Sequence, residues 1–174
     1  MTRGSCSASL AAACRLTRCA RQNIFGPRII GEFMSDNEPQ GGCLCNSIRY
    51  RLTGLPIAQS LCHCRSCRLA AGAPSVAWVV VKRSDFILVT GDPVRFRSSP
   101  FVVRTFCGKC GTPLTYQHDE SPDTIDVTTA TLDVPEAFPP NREIWLEHKI
   151  AWEPLDENLQ HFQRSSSEDS AGAD

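Results

Sequence analysis

The sequence predicts a mainly β domain built from short strands, and three observations support this fold class. Apolar and polar residues alternate from residue 48 to residue 52, which is the period of a half-buried strand. Other short apolar runs are separated by glycine and proline, as at Gly91-Asp92-Pro93. A hydrophobic fraction of 41% in 174 residues is enough for the core of one domain with tails.

The predicted elements follow one another from residue 48 onward. Residues 48–52 form the first strand, and residues 76–81 are a continuous apolar run, typical of a strand covered on both faces. Residues 65–71 and 135–138 are predicted to form short helical turns. The other predicted strands are residues 86–89, 94–97, 101–106, 125–130 and 144–146.

The chain divides into a folded region and two tails. We expect residues 1–37 to be a disordered extension, residues 38–161 to be the domain, and residues 162–174 to be a disordered polar tail. Three interpretations of the first 33 residues remain open: an arginine-rich transit peptide, a lipoprotein-like cleavage site before Cys14, and an upstream extension of a protein that begins at Met34. The ordinary polar sequence after Met34 favours the third.

The charge distribution argues against two classes of partner. Five of the 18 basic and one of the 19 acidic residues precede Met34, so residues 34–174 carry 13 basic and 18 acidic side chains. An acidic domain is poorly suited to bind a phosphate backbone. No apolar run approaches the roughly 20 residues that a membrane span needs. We therefore expect neither nucleic acid nor membrane as a partner, and a cytoplasmic location.

Ten cysteines are far more than a cytoplasmic protein uses for packing, so their spacing carries the chemistry. Three of them, Cys6, Cys14 and Cys19, lie in the basic N-terminal segment. The other seven are an odd number, which suits a disulfide framework poorly and divides naturally into four plus three metal ligands. They form three clusters: Cys43 and Cys45; Cys62, Cys64 and Cys67; and Cys107 and Cys110.

The first and third clusters predict a closed structural zinc site. Residues i and i+2 of an extended segment face the same side, so the first pair of sulfurs can meet at one point. Gly108 and Gly111 can take positive φ and turn backbone N–H groups toward the second pair of thiolates. Buried free cysteines, a disulfide and a thioredoxin-type redox pair are the weaker alternatives. The predicted ligands are Cys43, Cys45, Cys107 and Cys110, about 2.3 Å from a tetrahedral zinc ion.

The second cluster predicts a different kind of zinc site. Cys62, Cys64 and Cys67 supply three ligands and leave the fourth position open for water or substrate, so these cysteines are the predicted catalytic residues. His63 could complete the set. In an extended segment, however, its side chain points away from the neighbouring sulfurs, which favours a role behind the metal or at the surface.

Two arginines flank this cluster and are the predicted cofactor-binding residues. Arg65 and Arg68 could lower the pKa values of the thiols or hold a carboxylate of a bound thiol such as glutathione. The carboxylates of Asp85, Asp92 and Asp126 show no paired spacing that indicates acid–base work.

These motifs resemble the glutathione-dependent formaldehyde-activating enzyme family, which also includes centromere protein V. The matching segments are Gly-Gly-Cys-Leu-Cys at 41–45, Cys-His-Cys-Arg-Ser-Cys at 62–67, Gly-Ala-Pro at 72–74 and Phe-Cys-Gly-Lys-Cys-Gly-Thr-Pro-Leu at 106–114. The resemblance implies a β-tent fold, in which short antiparallel sheets surround the metal sites. It also implies two Zn²⁺ ions per chain, one structural and one labile near the glutathione site.

The resulting functional hypothesis is a zinc-dependent carbon–sulfur lyase or synthase. Its substrate would be glutathione or a similar thiol adduct, with S-hydroxymethylglutathione, formed from formaldehyde, as the family's example. The alternatives are a non-catalytic zinc-binding interaction module resembling centromere protein V, and a zinc or thiol buffer.

Overall fold

The structure, a computed structural model, describes residues 38–165 and has the predicted mainly β fold. The predicted extension at residues 1–37 and most of the predicted tail lie outside the described residues. One α-helix, α1, spans Arg65–Ala71 in the described part of the chain. The strands are β1 (Gln40–Gly42), β2 (Arg49–Leu52), β3 (Ala58–Cys62), β4 (Val76–Lys82), β5 (Phe86–Thr90), β6 (Val94–Ser99), β7 (Val102–Phe106), β8 (Pro113–His118), β9 (Thr124–Thr128), β10 (Arg142–Ile144) and β11 (Gln160–His161).

The predicted strands are present, and two of them end earlier than expected for local reasons. Strand β9 stops at Thr128 because Thr129–Thr131 form a 3₁₀ turn. Strand β10 stops at Ile144 because Trp145 takes a left-handed backbone conformation with φ 62°. The predicted turn near residue 135 is a 3₁₀ turn at Pro135–Ala137. Strands β1, β3, β8 and β11 have no clear apolar alternation and were not predicted from the sequence.

The strands form two sheets of unequal size. The smaller sheet has the order β1-β2-β5, and the larger has the order β11-β10-β3-β4-β9-β8-β7-β6. Most pairs are antiparallel, as predicted, but β10 pairs in parallel with both β3 and β11. A parallel pair needs a long connection, and the six strands between β3 and β10 supply it.

The core of the smaller sheet is built around one aromatic side chain. Tyr50 is fully buried, stacks on Phe86 with ring centroids 5.1 Å apart, and hydrogen-bonds Thr131 through its hydroxyl at 2.7 Å. A Cβ at Gly41 would lie 2.3 Å from the Tyr50 hydroxyl oxygen. Only glycine fits there, because the β1 backbone passes directly over the ring.

The folded part extends slightly beyond the predicted boundary at residue 161. The backbone N–H groups of residues 145, 146 and 147 donate to the carbonyls of Arg164, Phe162 and Gln163. Polar composition alone gives no sign of this pairing, so the predicted tail began too early. In the described part of the chain, no helix has the length and apolar character needed to cross a membrane.

We predict that the core depends on Leu52, which is 1% exposed, and not on Leu55, which is 64% exposed. Leu52→Ala should lower the free energy of unfolding by about 2–5 kcal/mol because it leaves a cavity. Leu55→Ala should change it by less than about 0.5 kcal/mol. Urea unfolding with excess zinc measures both, and equal destabilisation by the two substitutions would contradict the assigned core.

Candidate functional site

The first cysteine cluster brings together sulfurs from both sheets. Cys43 and Cys45 follow β1 of the smaller sheet, and Cys107 and Cys110 follow β7 of the larger one. All four sulfurs lie within 4.8 Å of one another, with Cys43 and Cys45 3.5 Å apart and Cys45 and Cys107 3.8 Å apart. Four sulfurs around a tetrahedral zinc ion are about 3.8 Å apart. The donor set and its spacing therefore fit a zinc ion.

Local hydrogen bonds favour the thiolate form of two of these cysteines. The Thr112 hydroxyl lies 3.2 Å from the Cys110 sulfur and lowers the pKa of Cys110 to about 5. A hydrogen bond with Ser47 lowers the pKa of Cys45. A group whose pKa is depressed is ready to bind metal at neutral pH, since the metal takes the deprotonated ligand.

The turn at this cluster uses its two glycines for different purposes. Gly111 has the expected positive φ, 76°, and donates its backbone N–H to the Cys107 carbonyl at 2.8 Å. Gly108 does not have positive φ, so that expectation is wrong. A Cβ at Gly108 would lie 2.9 Å from a Val94 methyl group, which explains the glycine by close packing.

The second cluster comes from one continuous segment. Cys62 ends β3, Cys64 caps the N-terminus of α1, and Cys67 lies in the first turn of that helix. The Cys67 backbone N–H donates to the Cys64 sulfur at 3.3 Å, and the three sulfurs lie within 4.8 Å of one another. Three thiols at this spacing could hold a metal ion and leave one coordination position for another ligand.

The three thiols of this cluster differ in their pKa values. Hydrogen bonds with Cys62 and Cys67 lower the pKa of Cys64, and the corresponding bond with Cys64 raises the pKa of Cys62. Cys64 is therefore the first thiol of the group to ionise. Loss of the remaining protons accompanies metal binding, because zinc binds thiolates.

His63 is buried behind the cluster and faces two glutamates. Its Nδ1 lies 3.1 Å from Glu153 Oε2, and its Nε2 lies 3.7 Å from Glu143 Oε2. The side chain does not belong to the sulfur group, in line with the expected orientation, and the surface alternative is wrong because His63 is fully buried. Its backbone N–H donates to the Ile144 carbonyl at 3.0 Å, which connects the cysteine segment to β10.

The two flanking arginines have different environments. Arg65 borders the cavity next to the second cluster. The Arg68 side chain instead donates from Nε to the His63 carbonyl at 3.2 Å and does not line this cavity. Contact with a bound thiol stays a prediction for both arginines. Arg68 lies one turn further along α1, and its side chain is directed to the backbone.

A third arginine, which the sequence pattern did not single out, contacts the cluster directly. Arg104 is 8% exposed, and its Nη2 donates to the Cys67 sulfur at 3.5 Å. The guanidinium also lies over the ring of Tyr116, 4.9 Å from its centroid. The strand pattern could have identified this residue. Arg104 is a charged side chain at an inward-facing position of the apolar strand β7, two residues after buried Val102.

Arg104 belongs to a row of polar side chains that crosses three strands. Arg104 of β7 pairs with Tyr116 of β8, which pairs with Asp126 of β9. Directly paired residues face the same side of a sheet. Burial raises the pKa of Asp126 to about 7, and Arg104 partly opposes that rise. Asp126 has no paired spacing in the sequence, and only the register of the sheet places it in one row with Arg104 and Tyr116.

This row and the second cluster line one cavity of about 340 Å³, which we call the cluster cavity. It contains thiols, a guanidinium and a carboxyl group of raised pKa, which are groups able to bind and deprotonate a small anionic molecule. Its lining includes Cys62, Cys64, Cys67, Arg65, Arg104, Tyr116, Asp126, Trp145 and His148.

The fold and the site define a mainly β protein with two cysteine clusters, each able to hold a metal ion, and a cavity beside one of them. The family model for the glutathione-dependent formaldehyde-activating enzyme matches residues 38–148, more than half of the chain. The chain belongs to this family, as its cysteine motifs indicated.

Two individual proteins are also similar to this chain. A Schizosaccharomyces pombe protein described as an uncharacterized lyase is 30% identical over 81 residues, which are 47% of this chain and 58% of that protein. The chain thus matches little more than half the length of that relative. A crystal structure of a Rhodobacter sphaeroides protein superposes with a TM-score of 0.49 at 18% identity, covering 71% of this chain and 98% of that one.

We predict that the two clusters bind zinc independently. The zinc-loaded protein should contain about two zinc ions per chain, and Cys64→Ser should contain about one and remain folded. Cys107→Ser should lose the metal that joins the two sheets and unfold in a large fraction of molecules. Elemental analysis combined with circular dichroism measures both quantities.

Cys14→Ser is the control for these variants, because Cys14 lies outside the three cysteine clusters of the sequence. It should keep about two zinc ions. Retention of two zinc ions by Cys64→Ser would contradict the assignment of the second cluster.

Proposed function

We propose that the protein is a zinc-dependent carbon–sulfur lyase that acts on adducts of glutathione or a similar thiol. The observation that carries the proposal is the cluster cavity, where three cysteines meet an arginine and a carboxyl group of raised pKa. Membership of the glutathione-dependent formaldehyde-activating enzyme family supports the choice of thiol. S-hydroxymethylglutathione is the simplest substrate of this kind.

The proposal assigns different roles to the two cysteine clusters. A zinc ion at Cys43, Cys45, Cys107 and Cys110 would be structural, because four protein sulfurs complete its coordination. When bound at Cys62, Cys64 and Cys67, a zinc ion would supply a Lewis acid that favours the ionised form of a thiol in the cavity.

The cationic side chains of the cavity suit an anionic thiol. Glutathione carries two carboxylates, and Arg65 and Arg104 each present a guanidinium that can bind one of them. Arg104 is held in place by the Tyr116 ring and by its contact with the Cys67 sulfur. A carboxylate bound there would lie beside the cluster, which orients the substrate sulfur toward the cysteines.

Asp126 is the proposed proton acceptor. In the cleavage direction, the hydroxyl of the adduct gives its proton to the Asp126 carboxylate as the carbonyl forms. The carbon–sulfur bond breaks and its electron pair stays on sulfur, which gives an aldehyde and a thiolate. The thiolate becomes the thiol by taking up the proton that Asp126 received. The reverse sequence adds the thiol to the aldehyde, so no oxidant or reductant is needed.

A cytoplasmic location is part of the proposal. The seven described cysteines are unpaired, and the proposed activity needs them as thiolates. A reducing compartment maintains that state.

The direct test is exchange between formaldehyde and S-hydroxymethylglutathione, followed by NMR exchange spectroscopy at equilibrium. The wild-type protein should accelerate this exchange. Cys64→Ser should lower the enzymatic rate by at least about 100-fold, because the open metal site is lost. Cys14→Ser should keep the wild-type rate.

Full activity in Cys64→Ser with one zinc ion per chain would refute the catalytic assignment. The absence of exchange in the wild-type protein would instead favour a non-catalytic zinc module. A missing rise in melting temperature with millimolar glutathione would support that alternative, since a ligand of the native state stabilises it.

We predict that the exchange rate depends on pH through Asp126. Because its pKa is raised to about 7, the carboxylate is mostly protonated below that pH and mostly ionised above it. The rate should therefore rise with pH through about 7 and then level off. Asp126→Asn should lower the plateau by about 10²-fold or more and remove this rise.

Asp92→Asn is the matched control, because Asp92 is exposed and lies outside the cluster cavity. It should keep both the rate and the pH profile. An unchanged profile in Asp126→Asn would show that another group accepts the proton.

A further inference from the structure

A second cavity of about 630 Å³ adjoins the cluster cavity and is nearly twice its size. It lies between α1 on one side and strands β6, β7 and β8 on the other. The two cavities share Arg65, Cys67, Trp78 and Arg104 in their walls. A molecule whose sulfur reaches the cysteines can therefore extend into this second space, which we call the apolar cavity.

Away from the arginines that it shares with the cluster cavity, the apolar cavity is lined mostly by apolar residues. Leu69 and Phe96 line it and are 66% and 58% exposed, so both present apolar surface to a molecule in this cavity. Thr105 and Thr115 also line it, but their hydroxyls lie 2.6 Å apart and hydrogen-bond each other. Arg65 and Arg104 lie in the wall that the two cavities share, and all three cysteines line only the cluster cavity. The charged arms of glutathione are therefore matched at the shared wall, beside the cysteines.

The size of the apolar cavity exceeds what a one-carbon adduct can use. Cavities of about 300–1,000 Å³ typically bind ligands of drug size. The hydroxymethyl group contributed by formaldehyde has a single carbon and would leave this volume to water. Contact between these apolar walls and an apolar group is favourable in free energy, because it removes apolar surface from water.

Resting on the lyase proposal above, we infer that the natural adduct carries an apolar carbon group larger than the one from formaldehyde, and that this group occupies the apolar cavity. The electrophile is then an aliphatic or aromatic aldehyde. The thiol sulfur forms a bond to the carbonyl carbon, and the thiol proton is transferred to the carbonyl oxygen. The product is a hemithioacetal, and the reverse reaction releases the same aldehyde and thiol.

Binding of unreactive thioethers tests the inference without requiring turnover. We expect S-hexylglutathione to bind the zinc-loaded protein at least about tenfold more tightly than S-methylglutathione, since each buried methylene strengthens binding by about fourfold. Phe96→Ser should reduce this preference by about threefold or more, because it removes part of the apolar wall. Isothermal titration calorimetry measures each affinity.

Phe101→Ser is the matched control, because Phe101 is 54% exposed, close to Phe96 in the sequence, and lines neither cavity. It should keep the full preference for the hexyl group. The inference would be overturned by equal affinity for the two thioethers or by no binding of either. It would also be overturned if Phe96→Ser and Phe101→Ser reduced the preference for the hexyl group equally.

Formaldehyde exchange measured on the same samples separates this inference from the lyase proposal. Exchange without a hexyl preference rejects the apolar cavity as a substrate site and leaves the lyase proposal standing. Hexanal, the aldehyde that corresponds to the hexyl group, is measured in the same way. If Phe96→Ser reduces the hexyl preference but the protein accelerates exchange of neither aldehyde, the cavity is supported as a binding site and the lyase proposal is rejected.

Discussion

The convergence of four sulfurs from two sheets is the constraint on which the rest of the fold depends. Cys43 and Cys45 leave the smaller sheet, Cys107 and Cys110 leave the larger one, and their sulfurs meet within 4.8 Å. The strands are short: eight of the eleven described strands contain five residues or fewer. The described part of the chain has one short α-helix to cover them. A metal ion bound by these four sulfurs would link segments that are far apart in the chain, and a link that closes a long loop stabilises a fold most.

The second cluster depends on a different support. Its cysteines are close in sequence, so the chain needs no distant partner to bring them together, but their orientation is fixed from behind. The buried His63 side chain lies between Glu143 and Glu153, and its backbone groups bond to Ile144 and to Arg68. These contacts use the inner side of the segment and leave the outer side facing the cluster cavity. One site is thus enclosed by protein sulfurs, while the other borders space for a ligand.

The sequence was sufficient to predict the parts of the site that are encoded by spacing. The cysteine pairs, the helix at residues 65–71 and the mainly β class all follow from short-range patterns, and the family match agrees with them. Arg104 and Asp126 could not be found in this way, because they meet only through the register of β7, β8 and β9. Strand β3 was also missed, since Gln59 and Ser60 are buried polar residues in a strand without alternation. Register and burial of polar groups are set by the whole sheet.

The central claim is that the two cysteine clusters bind zinc differently, one closed and one open to a thiol. A crystal structure of the zinc-loaded protein soaked with glutathione, with anomalous scattering recorded at the zinc edge, tests this most directly. The account predicts two zinc peaks per chain, one surrounded by four cysteine sulfurs and one by three cysteine sulfurs and the glutathione sulfur. A single peak, or a second zinc ion completed by a fourth protein ligand with glutathione elsewhere, would contradict it.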